Sequence, residues 1–207
     1  AINAVGADMS GEHPMSRLLE GDVGSGKTAV AIAAAYLAIS AGYQTAYMAP
    51  TEILAGQHFQ SFIEYFSELK FTPKIGLITS SGCQKFPSKV NPLKATKISR
   101  AQLLKWVENG EIPILIGTHS LIQASVKFKK LALVIIDEQH RFGARQRASL
   151  VTDKSGDAPH LLSMTATPIP RTLALTIYGD LDLSILDELP AGRKSPITKI
   201  INPEERE

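Results

Sequence analysis

Short apolar segments alternate with longer amphipathic segments along most of the chain. The apolar segments are rich in Ile, Val, Leu and Met and are mostly unbroken by polar residues. Such runs are typical of strands that are covered on both faces, as in a parallel sheet. The pattern therefore predicts strands at residues 17–20, 45–49, 74–79, 112–117, 131–137 and 160–165.

The segments between these strands have helical periodicity. Phe59, Phe62, Ile63 and Phe66 recur on one helix face, which predicts a core stripe rather than a binding surface. Alternating strands and helices predict an α/β fold, a doubly wound and mostly parallel sheet with helices on both faces. Ligands of such sheets bind at the carboxyl ends of the strands. The predicted helices are residues 27–40, 52–69, 99–109, 145–150 and 171–177.

Two regions break this alternation. Residues 83–100 carry two prolines, several lysines and few apolar residues, which predicts a long, mobile, basic loop. That loop is either a solvated connection or a contact with nucleic acid. Residues 187–196 have the composition of a linker, and residues 197–201 resemble the start of another strand.

Composition narrows the class of protein. The 207 residues suit one large domain, or one domain and a tail, and 44% are hydrophobic. Because the formal net charge is only +2, any nucleic-acid site must be a local patch. Cys83 is the only cysteine, so an intrachain disulfide is impossible and a reducing compartment is expected. No apolar stretch has the length of a membrane span and no signal peptide is visible, so we expect a cytoplasmic protein without a membrane partner.

The segment from Gly21 to Thr28 fits the phosphate-binding pattern G-x-x-x-x-G-K-[ST] between a predicted strand and a predicted helix. Glycines let backbone N–H groups surround a phosphate, and the helix start adds a favourable dipole. The lysine can reach the β- and γ-phosphates, and the threonine hydroxyl can hold Mg²⁺. The alternative is an ordinary glycine-rich turn. The candidate nucleotide-binding residues are Gly21, Asp22, Gly24, Ser25, Gly26, Lys27 and Thr28.

A second acidic motif follows the predicted strand 131–137. Asp137 and Glu138 place two carboxylates at the carboxyl end of that strand, beside the phosphate loop. Asp137 would hold Mg²⁺, and Glu138 would orient and deprotonate the attacking water, so we predict that both are catalytic with Lys27. The alternative is two exposed acids at a strand end. His140 would sense the γ-phosphate, pair with a neighbouring strand, or be a plain surface histidine.

Several motifs together carry a family resemblance. Residues 21–28, 49–52, 137–140 and 165–168 resemble the motif series of superfamily 2 helicases and translocases. The longer strings at residues 137–143, 164–175, 179–184 and 187–190 closely resemble the RecG family of bacterial ATP-dependent DNA helicases. The related transcription–repair coupling translocases share much of this pattern, but typically have Glu where Gln139 stands. The resemblance covers essentially the whole chain.

The resemblance implies a RecA-like P-loop NTPase domain that uses ATP and Mg²⁺. Pro50 and Thr51 resemble a motif that touches DNA phosphates, although a simple turn is the alternative. Gly117, Thr118 and His119 resemble a second DNA-contact motif. Residues that couple hydrolysis to DNA binding are then expected at Gln139, His140, Thr165, Thr167 and Arg171.

The resemblance also implies parts that lie outside these residues. RecG-like proteins have an N-terminal wedge domain that grips branched DNA, an upstream adenine-binding motif, and a second RecA-like lobe with arginine fingers. Residues 1–186 are therefore expected to be the helicase ATP-binding lobe, and residues 187–207 a linker and the start of the second lobe. The expected function is remodelling of branched, double-stranded DNA in the bacterial nucleoid. A P-loop kinase and a non-catalytic nucleotide-sensing module are the competing classes.

Overall fold

The computed structural model describes residues 1–118, 121, 126–138, 158–167 and 181–187. Four helices lie in this part of the chain: α1 (Ile2–Met9), α2 (Lys27–Ser40), α3 (Glu52–Glu68) and α4 (Arg100–Glu108). The strands described are β1 (Ser16–Gly21), β2 (Gln44–Met48), β3 (Ile75–Thr79), β4 (Gly82–Phe86), β5 (Thr96–Ile98), β6 (Ile114–Gly117), β7 (Leu131–Asp137), β8 (His160–Thr165) and β9 (Asp182–Leu186). None of these helices combines the length and the apolar character that a membrane crossing requires.

The strands form one mixed sheet in the order β5-β4-β3-β6-β2-β7-β8-β1-β9. In this spatial order, every neighbouring pair from β3 to β9 is parallel. Strand β4 pairs antiparallel with both β3 and β5. Parallel neighbours place the carboxyl ends of β6, β2, β7, β8 and β1 along the same edge of the sheet. The candidate site residues that the structure describes lie along that edge.

Both faces of the sheet are covered by helices, and its central strands are largely apolar. On β6, Ile114 and Ile116 pack into the core shared with α1, α2 and α3. Leu115, between them, packs on the opposite face with Leu103 and Val107 of α4. Successive residues of β6 thus pack into apolar layers on opposite faces of the sheet, as expected for period-2 geometry.

The predicted α/β fold, mostly parallel with helices on both faces, is confirmed. Strands β7 and β8 and helix α2 have the predicted bounds, and the other predicted elements among the described residues shift by a few residues at their ends. The predicted core stripe on α3 is confirmed, since all four of its side chains are buried. The predicted helices 145–150 and 171–177, the strand 197–201 and residues 188–196 of the linker lie outside the described residues.

The prediction of a continuous loop at residues 83–100 is wrong. Strands β4 and β5 extend the sheet here, with Cys83 opposite Ile98 and Lys85 opposite Thr96. Cys83 and Phe86 are buried, and the Lys85 ammonium lies 5.2 Å from the centre of the Trp106 ring. The apolar stem of a lysine can cover a hydrophobic surface in this way. The polar composition of this segment therefore gave no indication of its strands. Helix α1 and strand β9 were also not predicted.

Candidate nucleotide and DNA site

Three neighbouring strands bring the nucleotide-site candidates together. β8 lies between β1 and β7, with Glu20 paired to Thr165 and Asp137 paired to Met164. The phosphate loop follows β1, the acidic pair ends β7, and Thr165 ends β8. Since adjacent strands lie about 4.8 Å apart, residues distant in sequence share one small region at the edge of the sheet.

The phosphate loop has the backbone that its glycines predict. Gly24 and Gly26 have φ angles of 82° and 96°, a region that favours glycine. Gly26 is the N-cap of α2, so the helix begins directly at Lys27 and Thr28. The N-terminal N–H groups of α2, and the positive end of its dipole, therefore face the loop, as a phosphate site requires.

Gly21 is needed for a different reason. A Cβ atom there would lie 2.5 Å from the Ser25 hydroxyl oxygen and 2.9 Å from the Leu186 Cβ. β1 and β9 pair at this point, with Gly21 opposite Leu186. The first glycine of the motif thus lets the loop turn back against the edge strand β9.

Lys27 reaches back over the loop. Its ammonium donates to the carbonyl oxygens of Gly21 at 2.5 Å and Asp22 at 2.8 Å. Burial lowers the pKa of Lys27, and the negative charges of Asp137, Glu138 and Asp22 oppose that shift. The lysine and the acidic pair are thus electrostatically coupled across the edge of the sheet.

Asp137 and Glu138 differ in their surroundings. Asp137 is 9% exposed, and its Oδ2 lies 2.9 Å from His58 Nε2 of helix α3. Glu138 is half-buried and has a φ of 54°, an uncommon conformation for a residue with a side chain. Strained backbone of this kind is concentrated at functional sites, which agrees with the predicted role of Glu138.

The donor set fits Mg²⁺ that is bound together with a phosphate. Among the described residues, no group of three or more His, Cys, Asp and Glu side chains is arranged to hold a metal. Mg²⁺ does not need such a cage, because it keeps several waters and commonly takes one or two carboxylates plus substrate phosphates. The Asp137 carboxylate and the Thr28 hydroxyl are hard oxygen donors of the right type.

The candidate DNA-contact residues lie on the next two strands. Met48 pairs with Gly117, and the Ala49 N–H donates to the Gly117 carbonyl at 2.8 Å. Pro50 and Thr51 follow this point. Thr51 is the exposed N-cap of α3, and its hydroxyl accepts from the Leu54 N–H at 3.2 Å.

The second candidate DNA motif is largely buried. Gly117 lies against β3, where a Cβ would come within 2.6 Å of the Ile78 carbonyl oxygen. Thr118 is 5% exposed. Gly117 thus has a packing role that the motif did not reveal, and Thr51 is the more accessible of the placed candidates. His119 lies outside the described residues.

The coupling candidates are partly placed. The Thr165 and Thr167 hydroxyl oxygens are 2.9 Å apart, and the Thr167 N–H donates to the Thr165 hydroxyl at 3.2 Å. This compact turn ends β8 between the phosphate loop and Asp137. Gln139, His140 and Arg171 lie outside the described residues.

Two polar residues of α3 had no predicted role: His58 was not singled out from the sequence, and Glu52 only completes the 49–52 motif. His58 contacts Asp137, and the Glu52 carboxylate accepts from the backbone N–H groups of Ser80 at 2.8 Å and Ser81 at 3.3 Å. Hydrogen bonds from Ser80 and Ser81 lower the pKa of Glu52 to about 2. Glu52 thereby ties the start of α3 to the end of β3. In the sequence, His58 stands beside the apolar stripe of α3, and nothing near it indicates a contact with Asp137.

Comparison with known proteins agrees with this arrangement. The family model described as DEAD/DEAH box helicase matches residues 7–176. The chain is 48% identical over 205 residues to the ATP-dependent DNA helicase RecG of Synechocystis sp., covering 99% of this chain and 23% of that protein. It is 52% identical over 193 residues to the RecG helicase of Bacillus subtilis, covering 93% of this chain and 26% of that protein.

The solved structure of RecG bound to a three-way DNA junction superposes with a TM-score of 0.72 at 43% identity. It covers 93% of this chain and 23% of that one. The chain therefore spans about a quarter of the length of these relatives. With a family model that matches most of its length, this chain belongs to the DEAD/DEAH box helicase family.

Proposed function

We propose that this chain is the ATP-hydrolysing first lobe of a RecG-type DNA helicase motor. The observation that carries the proposal is the order of the strands. The nucleotide candidates lie at the ends of β1 and β7, and the coupling candidate Thr165 ends β8 between them. The DNA candidates lie at the ends of β2 and β6, immediately beside this group. Identity of 48–52% to RecG helicases over nearly the whole chain supports the same function.

In the proposed reaction, the phosphate loop and the start of α2 bind the triphosphate of ATP. The Lys27 ammonium exchanges its two carbonyl partners for oxygens of the β- and γ-phosphates, which are stronger acceptors because they are charged. Lys27 then holds positive charge where negative charge develops during phosphoryl transfer.

The acidic pair supplies the remaining groups of this lobe. Asp137 and Thr28 would hold Mg²⁺, which neutralises charge on the phosphate oxygens when it is bound. Glu138 accepts a proton from a water whose oxygen attacks the γ-phosphorus. The bond from that phosphorus to the bridging oxygen breaks, and ADP and phosphate leave.

Coupling to DNA is proposed to pass through the turn at Thr165 and Thr167. This turn lies at the end of β8, between β1, which leads into the phosphate loop, and β7, which carries Asp137. A small change at the turn would therefore reach both halves of the nucleotide site. We assign Pro50, Thr51 and residues 117–119 to DNA contact, and Gln139, His140 and Arg171 to the same coupling.

The substrate is proposed to be branched, double-stranded DNA, since the matched relative was solved on a three-way DNA junction. The preference for branches would reside in a wedge domain, and the catalytic arginines in a second lobe, both in the parts of a RecG-like protein outside these residues. Such a protein would act on DNA in the bacterial cytoplasm. A double-stranded DNA translocase of the transcription–repair coupling type is the nearest alternative.

The decisive experiment measures ATP hydrolysis by the full-length protein with a three-way junction, with a linear duplex of equal length, and without DNA. A branched-DNA helicase is stimulated most by the junction, and it separates the junction's strands. Equal stimulation by both DNAs without strand separation favours a duplex translocase. Transfer of phosphate to a small acceptor, or no stimulation by DNA, would contradict the proposal in favour of a kinase or a sensing module.

A further inference from the structure

The contact between His58 and Asp137 joins helix α3, whose N-cap is the DNA-contact candidate Thr51, to the acidic end of β7. His58 Nε2 lies 2.9 Å from Asp137 Oδ2, and the two side chains are 14% and 12% exposed. An ionised carboxylate can only accept, so the Nε2–H of the histidine is the donor. Because both groups are largely shielded from water, this hydrogen bond fixes the direction of the carboxylate more firmly than a surface contact would.

The histidine ring is itself held in place. It packs against Tyr47, with ring centroids 4.7 Å apart and planes tilted by 45°. Tyr47 is fully buried and makes an edge contact with Phe62, one turn further along α3. Side chains on β2 and α3 therefore support the ring, and the Asp137 carboxylate has a rigid partner.

The negative charge of Asp137 also acts on Tyr47. Burial raises the pKa of Tyr47, and the negative charge of Asp137 raises it further, so the phenol stays neutral. Its hydroxyl has no hydrogen-bond partner within the described ranges. Tyr47 supports the ring of His58 and does not replace it as the donor to Asp137.

Helix α3 connects this contact to the DNA candidates. The helix begins after its N-cap Thr51, and His58 lies about two turns, or roughly 10 Å, further along. A helix moves as a unit over such a distance, so a displacement at Thr51 is transmitted to His58.

We propose that His58 is a positioning residue, which orients Asp137 for Mg²⁺ and links that carboxylate to the DNA-contact end of α3. This inference rests on the proposed function. Hydrogen-bonding partners of a metal-binding carboxylate orient it, and their removal typically costs about 10–100-fold in metal affinity or activity. A packing role alone would affect folding, and would not act specifically on the Mg²⁺-dependent part of nucleotide binding.

The test compares variants of the full-length protein that differ in the donor at position 58. His58→Phe keeps a ring against Tyr47 and loses the N–H, whereas His58→Gln keeps an N–H donor. His58→Leu is a second donor-free variant with a smaller side chain. The control is Gln60→Ala, an exposed residue of the same helix whose side-chain amide donates to Glu64. Thermal unfolding first establishes that each variant is folded.

The first readout is the affinity for a fluorescent ATP analogue, with Mg²⁺ and with EDTA. Mg²⁺ raises the affinity of the wild type for the analogue above its affinity in EDTA. In His58→Phe and His58→Leu this increase should be about 10–100-fold smaller, while the affinity in EDTA should be unchanged. His58→Gln should recover most of that gain, and Gln60→Ala should match the wild type. The second readout is the ratio of DNA-stimulated to DNA-free ATP hydrolysis, which should fall in the donor-free variants.

Two outcomes would overturn the inference. One is that Mg²⁺ raises the nucleotide affinity of folded, donor-free variants as much as it does that of the wild type. The other is an equal loss with Mg²⁺ and with EDTA that His58→Gln does not relieve, which is the result of a packing role. The proposed function fails separately, if Lys27→Ala leaves nucleotide binding and DNA-stimulated hydrolysis intact in the same assays.

Discussion

The ammonium of Lys27 donates to the carbonyl oxygen of Gly21 at 2.5 Å, across the phosphate loop that separates the two residues in sequence. The side chain therefore lies over the loop and is not extended into solvent. Burial lowers the pKa of Lys27, but the nearby carboxylates of Asp137, Glu138 and Asp22 favour its charged form. The structure thus holds a cation where the triphosphate of ATP would bring its negative charge.

Lys27→Ala in the full-length protein should abolish ATP-driven DNA unwinding. A hydrogen bond to a charged group contributes about 1.5–3 kcal/mol, so nucleotide affinity should fall about 10- to 150-fold. Fluorescent nucleotide titration and a strand-separation assay measure the two effects. Lys105→Ala, an exposed lysine on α4, is the control and should behave as the wild type. Near-normal unwinding by Lys27→Ala would refute the assignment of the phosphate loop.

Glu138→Gln should preserve ATP binding and remove turnover. The amide keeps the shape of the side chain and leaves the backbone, with its φ of 54°, unchanged. It cannot accept the proton of the attacking water, and a general base contributes about 10²–10⁴-fold in rate. Single-turnover hydrolysis and equilibrium nucleotide binding are measured on the same preparation. Loss of both together would instead make Glu138 a binding or folding residue.

Much of the fold could be predicted because its central strands are short runs with few polar residues. Strand β7 is Leu131–Asp137, and its apolar residues alone mark both its position and its burial. The edge of the sheet gives no such signal. Strand β4 mixes buried and exposed residues, β5 has no buried residue, and Lys85 is buried beside Trp106. Which lysine is covered depends on the position of α4, and a local pattern does not contain that information.

The candidate site divides in the same way. The phosphate loop is contiguous, so its residues and its backbone conformation follow from eight letters of sequence. His58 and Asp137 are separated by 79 residues, and Glu52 and Ser80 by 28. These pairs meet because α3 packs on the sheet beside β2 and β3. Contacts of this kind follow from tertiary packing. Asp137 was recognisable from its own motif, but its pairing with His58 was not.

Glu52→Gln should lower the stability of the chain at neutral pH, and the difference from the wild type should shrink in acid. The pKa of Glu52 is lowered from 4.5 to about 2 in the folded state, because Ser80 and Ser81 donate to its carboxylate. A lowered pKa stabilises the fold above pH 4.5, and that contribution is lost as the pH falls towards 2. Thermal unfolding at several pH values tests this. Glu12→Gln, at an exposed position, is the control, and a pH-independent difference for Glu52→Gln would contradict the account.

Expressed alone, these 207 residues should hydrolyse ATP very slowly and should not unwind DNA. The residues placed here supply a cation at Lys27, a base at Glu138 and oxygen donors at Asp137 and Thr28. RecG-type motors are expected to bring arginines from a second lobe to the far side of the γ-phosphate, and such an arginine contributes about 10³–10⁵-fold in rate.

Unwinding additionally requires two lobes that close and open against each other on DNA, a movement that a single lobe cannot make. The measurement is steady-state ATP hydrolysis by the 207-residue chain, with and without a three-way junction, beside the full-length protein. Lys27→Ala in the same chain gives the background rate. We expect a small rate that DNA does not stimulate and that Lys27→Ala removes. A rate within about tenfold of that of the DNA-stimulated full-length protein would leave no room for the rate increase that an arginine finger from a second lobe normally gives. The two-lobe account would then be wrong.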